Sequence, residues 1–431
     1  MSGPAGWPAL MRLLRGSGFI FGCRVAGAAL TLLTQLLLAR WMGAAELGMY
    51  VLAFSWAILL ASVATLGLIP AAMRFVAEGL ARGEPGYGRA FAGFALRSVA
   101  GGSLLLALAG YGLTRWLPWP GGPAPGLAAL ALSFMPGLAL LHFGGGLANA
   151  YGRFTPGFLP SNVLRPLFFT ILVSAAWLAG GRLDAVLALR LQAAAVFATA
   201  LPLLAYLWLL LSAEGRAGSE RREPGRWLAT ALRLLPAVLF TGYFPEMINI
   251  LAGHYLPSAE LATLHVSFRV AMLISFGLFA VDAFTGPEIA RLHAAGERKR
   301  LRAVVDQATR LRFWAAVVAV AGFVLLGRWI LGWFGPDFVA GYPLLLILGG
   351  GQLIQAAVGP VLRLLSISGH EARCLKVFAA ALLLAIVLMA LLAPRYGASG
   401  AALAASLDIL FWALGMRWLA ARHLGLRPSF T

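Results

Sequence analysis

The sequence predicts an all-α polytopic membrane protein with about 12 transmembrane helices in two similar halves. Of its 431 residues, 61% are hydrophobic and only 12% are charged, and the mean hydropathy is +0.84. An ordinary soluble domain carries about 25% charged residues, so a water-soluble core of usual proportions is excluded. The chain therefore needs lipid as a second solvent, and helices satisfy their own backbone polar groups there.

Apolar stretches long enough to cross a hydrocarbon core of about 30 Å as helices recur along the whole chain. In the first half they cover residues 17–40, 48–72, 90–114, 126–149, 160–181 and 184–211. In the second half they cover residues 228–252, 261–286, 310–332, 341–363, 373–393 and 398–420. Short connections near Pro160 and Gly180 leave the merging of one neighbouring pair as the main alternative to this count.

Basic residues alternate between the two sides of the membrane when twelve spans are counted from a cytoplasmic amino terminus. Of the 34 Lys and Arg residues, 25 then fall in inside segments and five in outside loops. Because positive charge is retained on the cytoplasmic side of short loops, we expect a bacterial inner-membrane protein with both termini in the cytoplasm. The net charge of +18 is thereby explained by topology and lipid headgroups, without a nucleic-acid partner.

The two halves share an internal repeat. The segment AAELGMYVLAFSWAILL from Ala44 aligns with SAELATLHVSFRVAMLI from Ser258, which places span 2 opposite span 8. Because six spans separate the copies, both halves have the same orientation in the membrane, which is a parallel repeat. We predict an amino-terminal six-helix lobe over residues 1–211, a polar cytoplasmic linker over 212–227 and a carboxy-terminal six-helix lobe over 228–431.

The run LLARWMGAAELGMYVLAFSWAILLASVATLGLIPAAMRFVAEGLARG resembles the first two helices of Wzx-type polysaccharide and O-antigen flippases. Further similar stretches are LANAYGRF, NVLRPLFFTILV, GPEIARLHAAGERKRL and RYGASGAALAASL, so the resemblance covers nearly the whole chain. These flippases form the oligosaccharide flippase family of the multidrug/oligosaccharidyl-lipid/polysaccharide exporter (MOP) superfamily.

The resemblance implies a MATE-like pair of six-helix bundles around a central cavity, working by alternating access. The implied cargo is an undecaprenyl-diphosphate-linked oligosaccharide, moved from the cytoplasmic to the outer leaflet for O-antigen, capsule or exopolysaccharide biosynthesis. The implied partners are this lipid-linked oligosaccharide, membrane lipid, a polysaccharide polymerase and glycosyltransferases. The transport unit is expected to be a monomer.

Ionisable side chains within the predicted spans are the candidate functional residues, because they are costly in hydrocarbon. Four are arginines, which suit a phosphate headgroup because the guanidinium fork matches its oxygens: Arg24, Arg97, Arg190 and Arg269. Three are carboxylates, proposed for charge pairing or for coupling to an ion: Glu246, Asp282 and Asp408. Arg269 and Glu246 lie at similar depths, so we expect an ion pair between them, whereas Arg24 and Asp282 lie in the inner parts of their spans.

Each candidate also has a purely structural explanation. Arg24, Arg97 and Arg190 are placed so that they can snorkel, with aliphatic stems in the core and charged ends in water. The Arg269–Glu246 pair can equally be a static contact between two helices.

Two other classes of function are open to a chain of this kind. A cation-coupled multidrug exporter of the same superfamily is expected to carry carboxylates in its amino lobe, but spans 1–5 have no Asp or Glu in their interiors. A membrane polymerase or ligase needs a large outer loop with catalytic groups, and the outer loops here are short. No nucleotide-binding glycine loop is present. We therefore predict a transporter rather than an enzyme, with no cofactor or metal, driven by an H⁺ or Na⁺ gradient or by the membrane potential.

Overall fold

The computed structural model describes residues 6–116, 122–213, 222–368 and 370–425, and in these ranges the chain is helical without strands. The first half contains α1 (Gly6–Met42), α2 (Ala44–Ala64), α3 (Leu68–Ala81), α4 (Pro85–Trp116), α5 (Pro125–Ala150), α6 (Phe154–Leu159), α7 (Arg165–Leu178) and α8 (Ala185–Ala213). The second half contains α9 (Pro224–Gly253), α10 (Ser258–Ala271), α11 (Ile274–Ala294), α12 (Arg298–Gly332), α13 (Tyr342–Val358), α14 (Val361–Ile367) and α15 (Glu371–Leu424). Most of the predicted linker, residues 214–221, lies outside the described residues.

Ten continuous stretches of the described chain are long and apolar enough to cross a membrane. Two of them, Gly18–Ala81 with 64 residues and Arg373–Leu424 with 52, are far too long for one crossing of about 30 Å. Glycines in conformations that other residues rarely adopt divide them, Gly43 at φ 79° and Gly397 at φ 56°. Counting each as two crossings gives the predicted twelve, and the all-helical membrane fold class is confirmed.

Four predicted spans are broken or kinked where the sequence predicts continuous helices, and span 228–252 is kinked at Tyr243, whose φ of −130° and ψ of 21° are not helical. Span 48–72 is interrupted between α2 and α3, where Leu66 and Gly67 both have positive φ. Span 261–286 is interrupted between α10 and α11, and span 341–363 between α13 and α14 at Gly359 and Pro360. Mean hydropathy over about 19 residues cannot detect a break of two or three residues, because the breaks are as apolar as the helices.

The helices form two compact units. The first comprises the described residues up to Met42 together with Leu52–Leu239, and the second comprises Gly43–Val51 and the described residues from Phe240 onward. The boundary therefore falls within α9, which begins in the first unit and ends in the second. The lobes over residues 1–211 and 228–431 remain a prediction from the repeat. The contacts between residues divide the chain at a different place, within α9.

The start of α9 packs on α3 and α4 within the first unit. Trp227 is 1% exposed, and its indole N–H donates to the hydroxyl oxygen of Tyr87 at 3.0 Å. Arg226 forms ion pairs with Glu78 at 3.2 Å and with Glu223 at 2.8 Å. These contacts explain why the first half of α9 belongs to the first unit, although the repeat assigns it to the second half of the chain.

Candidate functional site

The second unit contains a cavity of about 560 Å³, within the size range of ligand pockets. Its wall is largely apolar and includes six aromatic residues, Phe240, Phe244, Phe268, Phe279, Phe378 and Trp412. The rings of Phe240 and Phe378 stack with centroids 4.6 Å apart. Ser275, Gln352 and Gln355 add neutral polar groups, so the cavity combines an apolar wall with a small number of hydrogen-bonding positions.

Three charged residues from three helices meet in the wall of this cavity. Nη1 of Arg312, on α12, donates to both carboxylate oxygens of Asp282, on α11, at 2.5 and 2.6 Å. Nη1 of Arg363, on α14, donates to the backbone carbonyl of Asp282 at 2.7 Å. Arg312 is buried, whereas Arg363 is exposed. With two guanidinium groups and one carboxylate, the cluster carries a net charge of +1.

A second ion pair joins α9 and α10 in the same unit. Nη2 of Arg269 contacts Oε1 of Glu246 at 2.9 Å, the pair that their matching depths predict. The side chains are 25% and 9% exposed, so the pair is accessible only from the arginine side. The neighbouring residues Pro245 and Phe268 line the cavity, whereas Glu246 and Arg269 do not.

Asp408, on α15, is fully buried. Neither of its carboxylate oxygens has a hydrogen-bond partner among the described residues. The next residue, Ile409, lines the cavity, while Asp408 does not. An unpaired carboxylate in such a position is costly, and a buried ionisable group of this kind is a functional candidate.

The other predicted headgroup residues lie in the first unit, on three different helices. Arg24 is on α1, Arg97 on α4 and Arg190 on α8, and all three side chains are exposed. The structure therefore brings together Arg269 with Glu246, and it places Asp282 beside two arginines that the sequence did not single out.

Arg312 and Arg363 were missed because hydropathy places both at the ends of spans, among basic residues of inside segments. A signal was nonetheless present in the sequence. Asp282, Arg312 and Arg363 all lie near the predicted inner ends of spans 8, 9 and 10, so helices that pack side by side bring them to one level. Asp282 pairs with Arg312 because a carboxylate at this depth needs a cationic neighbour.

Comparison with solved structures places this arrangement of helices among known transporters. The lipid II flippase MurJ in an inward closed conformation matches with a TM-score of 0.73 and 13% identity, over 93% of this chain and 87% of that chain. The inward-facing conformation of a multidrug resistance MATE family transporter of the MOP superfamily matches with a TM-score of 0.68 and 16% identity, over 92% and 94%.

This chain has the fold shared by MurJ and the MATE transporters. A MOP superfamily transporter from Pyrococcus furiosus, described as having a binding pocket of reverse polarity that suggests a different function, matches with a TM-score of 0.60 and 15% identity, over 95% and 96%. No family model matches the sequence, and the comparison with curated proteins also gives no match. At these identities the likeness establishes the fold and leaves the cargo to be argued from the residues.

Proposed function

We propose that this protein is a flippase of the Wzx type, which moves an undecaprenyl-diphosphate-linked oligosaccharide from the cytoplasmic to the outer leaflet of a bacterial inner membrane. Its headgroup contacts are Arg24 and Arg269, with Arg97 and Arg190 as further candidates. The sugar is destined for O-antigen, capsule or exopolysaccharide, and glycosyltransferases and a polymerase act before and after it. The protein itself performs no chemical step on its cargo.

The observation that carries this proposal is the charge of the first unit. Its membrane helices expose Arg24, Arg97 and Arg190, and spans 1–5 have no carboxylate in their interiors. A diphosphate crossing hydrocarbon needs cationic partners, and arginine supplies them in a bidentate geometry. A cationic drug would meet repulsion on the same helices, which disfavours the multidrug exporter that the MATE likeness also suggests.

In the proposed cycle the headgroup enters from the cytoplasm, the two halves of the protein alternate in access, and the lipid tail remains in the bilayer. Glu246 and Asp408 are the proposed ion-coupling residues, since each is a buried carboxylate in the second unit. The membrane potential can also bias the cycle, with about 2.3 kcal/mol per charge per 100 mV.

Reconstituted vesicles test the function directly. A fluorescent lipid-linked oligosaccharide is added to both leaflets, and a membrane-impermeant quencher reports how fast the inner pool becomes accessible. We expect flipping by the wild type, and a loss of about 10-fold or more in rate for Arg24→Ala and for Arg269→Ala, because each removes a charge-assisted hydrogen bond to phosphate.

Arg291→Ala is the matched control, because that arginine is exposed and pairs only with Glu288 in the described structure. Size-exclusion profiles confirm that every variant remains folded. Normal flipping by both test variants would refute the assigned headgroup residues. Absence of flipping together with gradient-driven efflux of a cationic dye would replace the flippase with the multidrug exporter. A Glu246→Gln variant with unchanged dependence on pH and ions would remove the coupling role of Glu246.

A further inference from the structure

The cluster of Asp282, Arg312 and Arg363 has hydrogen-bonding capacity that its own members do not use. Arg312 is 6% exposed and lines the cavity, yet its Nε has no hydrogen-bond partner among the described residues. Asp282 neutralises only one of the two guanidinium groups, because Arg363 contacts its backbone carbonyl rather than its carboxylate. The cluster is therefore a cationic site with an excess of donors.

The position of Arg363 depends on a glycine of the facing helix. A Cβ atom at Gly286, on α11, would overlap with the guanidinium group of Arg363. The absence of a side chain at this position lets the exposed arginine lie flat against α11 beside Asp282. The guanidinium is thus held at the cavity wall by its hydrogen bond to the Asp282 carbonyl and by its close contact with Gly286.

The wall next to these charges is apolar. Phe279 lies one turn before Asp282 on α11, and it lines the cavity together with Phe240, Phe378 and Trp412. A ligand that fits both surfaces has an anionic head and a hydrocarbon chain. Phosphate is the head that matches these two guanidinium groups, because its oxygens accept charge-assisted hydrogen bonds from N–H groups that the cluster itself leaves unused.

The site lies at a different depth from Arg269. Arg269 lies on α10 and Asp282 on α11, on opposite sides of the break between these two helices. The topology predicted from basic residues puts Asp282, Arg312 and Arg363 at the cytoplasmic level and Arg269 nearer the outer half. The second unit therefore presents cationic groups at two successive levels.

We propose that Arg312 and Arg363 form a loading site for the diphosphate of an amphiphilic substrate, in which only the part of the apolar chain next to the diphosphate lies against the apolar wall of the cavity and the rest stays in the bilayer. The substrate binds there from the cytoplasmic side before its headgroup reaches Arg269. This inference rests on the proposed flippase function, and it adds a site that is separate from the headgroup residues named above.

Binding of farnesyl diphosphate to the full-length protein in nanodiscs tests the site, with farnesol and inorganic diphosphate as the two half-ligands. We expect Arg363→Gln and Gly286→Ala to weaken farnesyl diphosphate binding by about 10-fold or more, the value for a lost hydrogen bond to a charged group. Farnesol should bind equally to all variants, and inorganic diphosphate should bind much more weakly than farnesyl diphosphate.

Two matched controls separate the site from general effects. Gly277→Ala changes another glycine of α11, where the new Cβ would meet only the Cβ of Ala315 at 3.9 Å. Arg291→Gln removes an exposed arginine of α11. Both should bind farnesyl diphosphate like the wild type. Because Gly286→Ala collides only with the end of a flexible side chain, it is expected to fold even where Arg363→Gln does not.

Unchanged binding in both test variants would overturn the loading site, as would an equal loss of farnesol binding. Inorganic diphosphate that binds as tightly as farnesyl diphosphate would also overturn it, since the site would then serve a free anion. The flipping assay is run on the same variants. If the wild type flips its substrate and the test variants are unaffected, the loading site is rejected and the flippase function is kept. If the test variants bind farnesyl diphosphate more weakly but the wild type does not flip the lipid-linked oligosaccharide, the function is rejected and the site is kept.

Discussion

Arg269 and Glu246 are the residues for which a single substitution has the clearest energetic consequence. Removing Glu246 leaves a half-buried guanidinium group without its carboxylate, and breaking buried pairs is costly because the remaining charge is uncompensated. We expect Glu246→Ala to lower the free energy of unfolding by about 1–3 kcal/mol, the penalty for leaving such a group unsatisfied. Thermal unfolding in detergent micelles measures the change.

The double variant Glu246→Ala/Arg269→Ala should recover part of this loss, because it removes both charges together. The exposed pair Glu288 and Arg291, joined at 2.6 Å, is the control, and the same pair of substitutions there should leave unfolding unchanged. An equal loss of unfolding free energy for the two pairs would show that burial of the contact between Glu246 and Arg269 does not make it more important for stability than an exposed pair.

At this scale the sequence predicts pairs only where depth can be counted from span ends. Counting residues placed Arg269 opposite Glu246 because both lie well inside their spans. It did not find the partner of Asp282, since Arg312 lies near the predicted start of span 9 and was assigned to an inside segment. Which residues of neighbouring helices face each other depends on helix rotation, and a single hydropathy profile has no information on rotation.

Among the helices, the contact between α1 and the π-helical turn Pro160–Leu164 is highly sensitive to side-chain size. Pro166 has no N–H to donate to the carbonyl of Asn162 four residues earlier, so an α-helical hydrogen bond is impossible there. A Cβ atom at Gly27 of α1 would overlap with this carbonyl oxygen. The glycine thus lets the two helices approach closely, as small residues commonly do in membranes.

Gly27→Ala is therefore expected to destabilise the protein by about 1–3 kcal/mol through overpacking against a backbone atom that cannot rotate away. Gly22→Ala on the same helix is the matched control, because a Cβ there meets nothing within 4 Å. Unfolding of both variants under identical detergent conditions checks the difference. Equal stability of the two would contradict the close approach of α1 to Asn162.

The same contact shows what the sequence predicts at the level of helices. Span 160–181 was located correctly, but its helical segment begins already at Phe154 and passes through the π-helical turn. Proline and glycine mark positions where a helix can deviate, yet Pro136 and Pro202 lie inside continuous helices while Pro360 lies at a break. Whether a helix continues through a proline or breaks there depends on packing against neighbouring helices. The local sequence around the proline does not give the positions of those helices.

For the whole molecule, composition and the repeated apolar stretches were sufficient to predict the fold class. In hydrocarbon every backbone N–H and C=O group needs an internal hydrogen-bond partner, and helices supply one within each apolar stretch. The division into two compact units within α9 was not predictable from the repeat. It depends on Trp227 and Arg226, which hold the start of α9 on the first unit through side-chain contacts specific to this chain.

The orientation in the membrane is the property of the whole molecule that charge alone predicts. Lys299 lies in the first turn of α12, a helix of 35 residues that spans about 52 Å, and Asp337 lies beyond its other end; both positions are exposed. The basic cluster around Lys299 predicts that this end lies in the cytoplasm and that the Asp337 end faces outward. The natural cysteines, Cys23 and Cys374, are buried and can be replaced by Ser and Ala to give a clean background.

In that background, a membrane-impermeant maleimide should label Asp337→Cys in intact cells and label Lys299→Cys only after the membrane is permeabilised. The two positions are joined by one continuous helix, so their labelling must be opposite if α12 crosses the bilayer once. The reverse pattern would invert the topology and put the cluster of Asp282, Arg312 and Arg363 on the outer side. Labelling of both positions in intact cells would remove span 9 and with it the count of twelve.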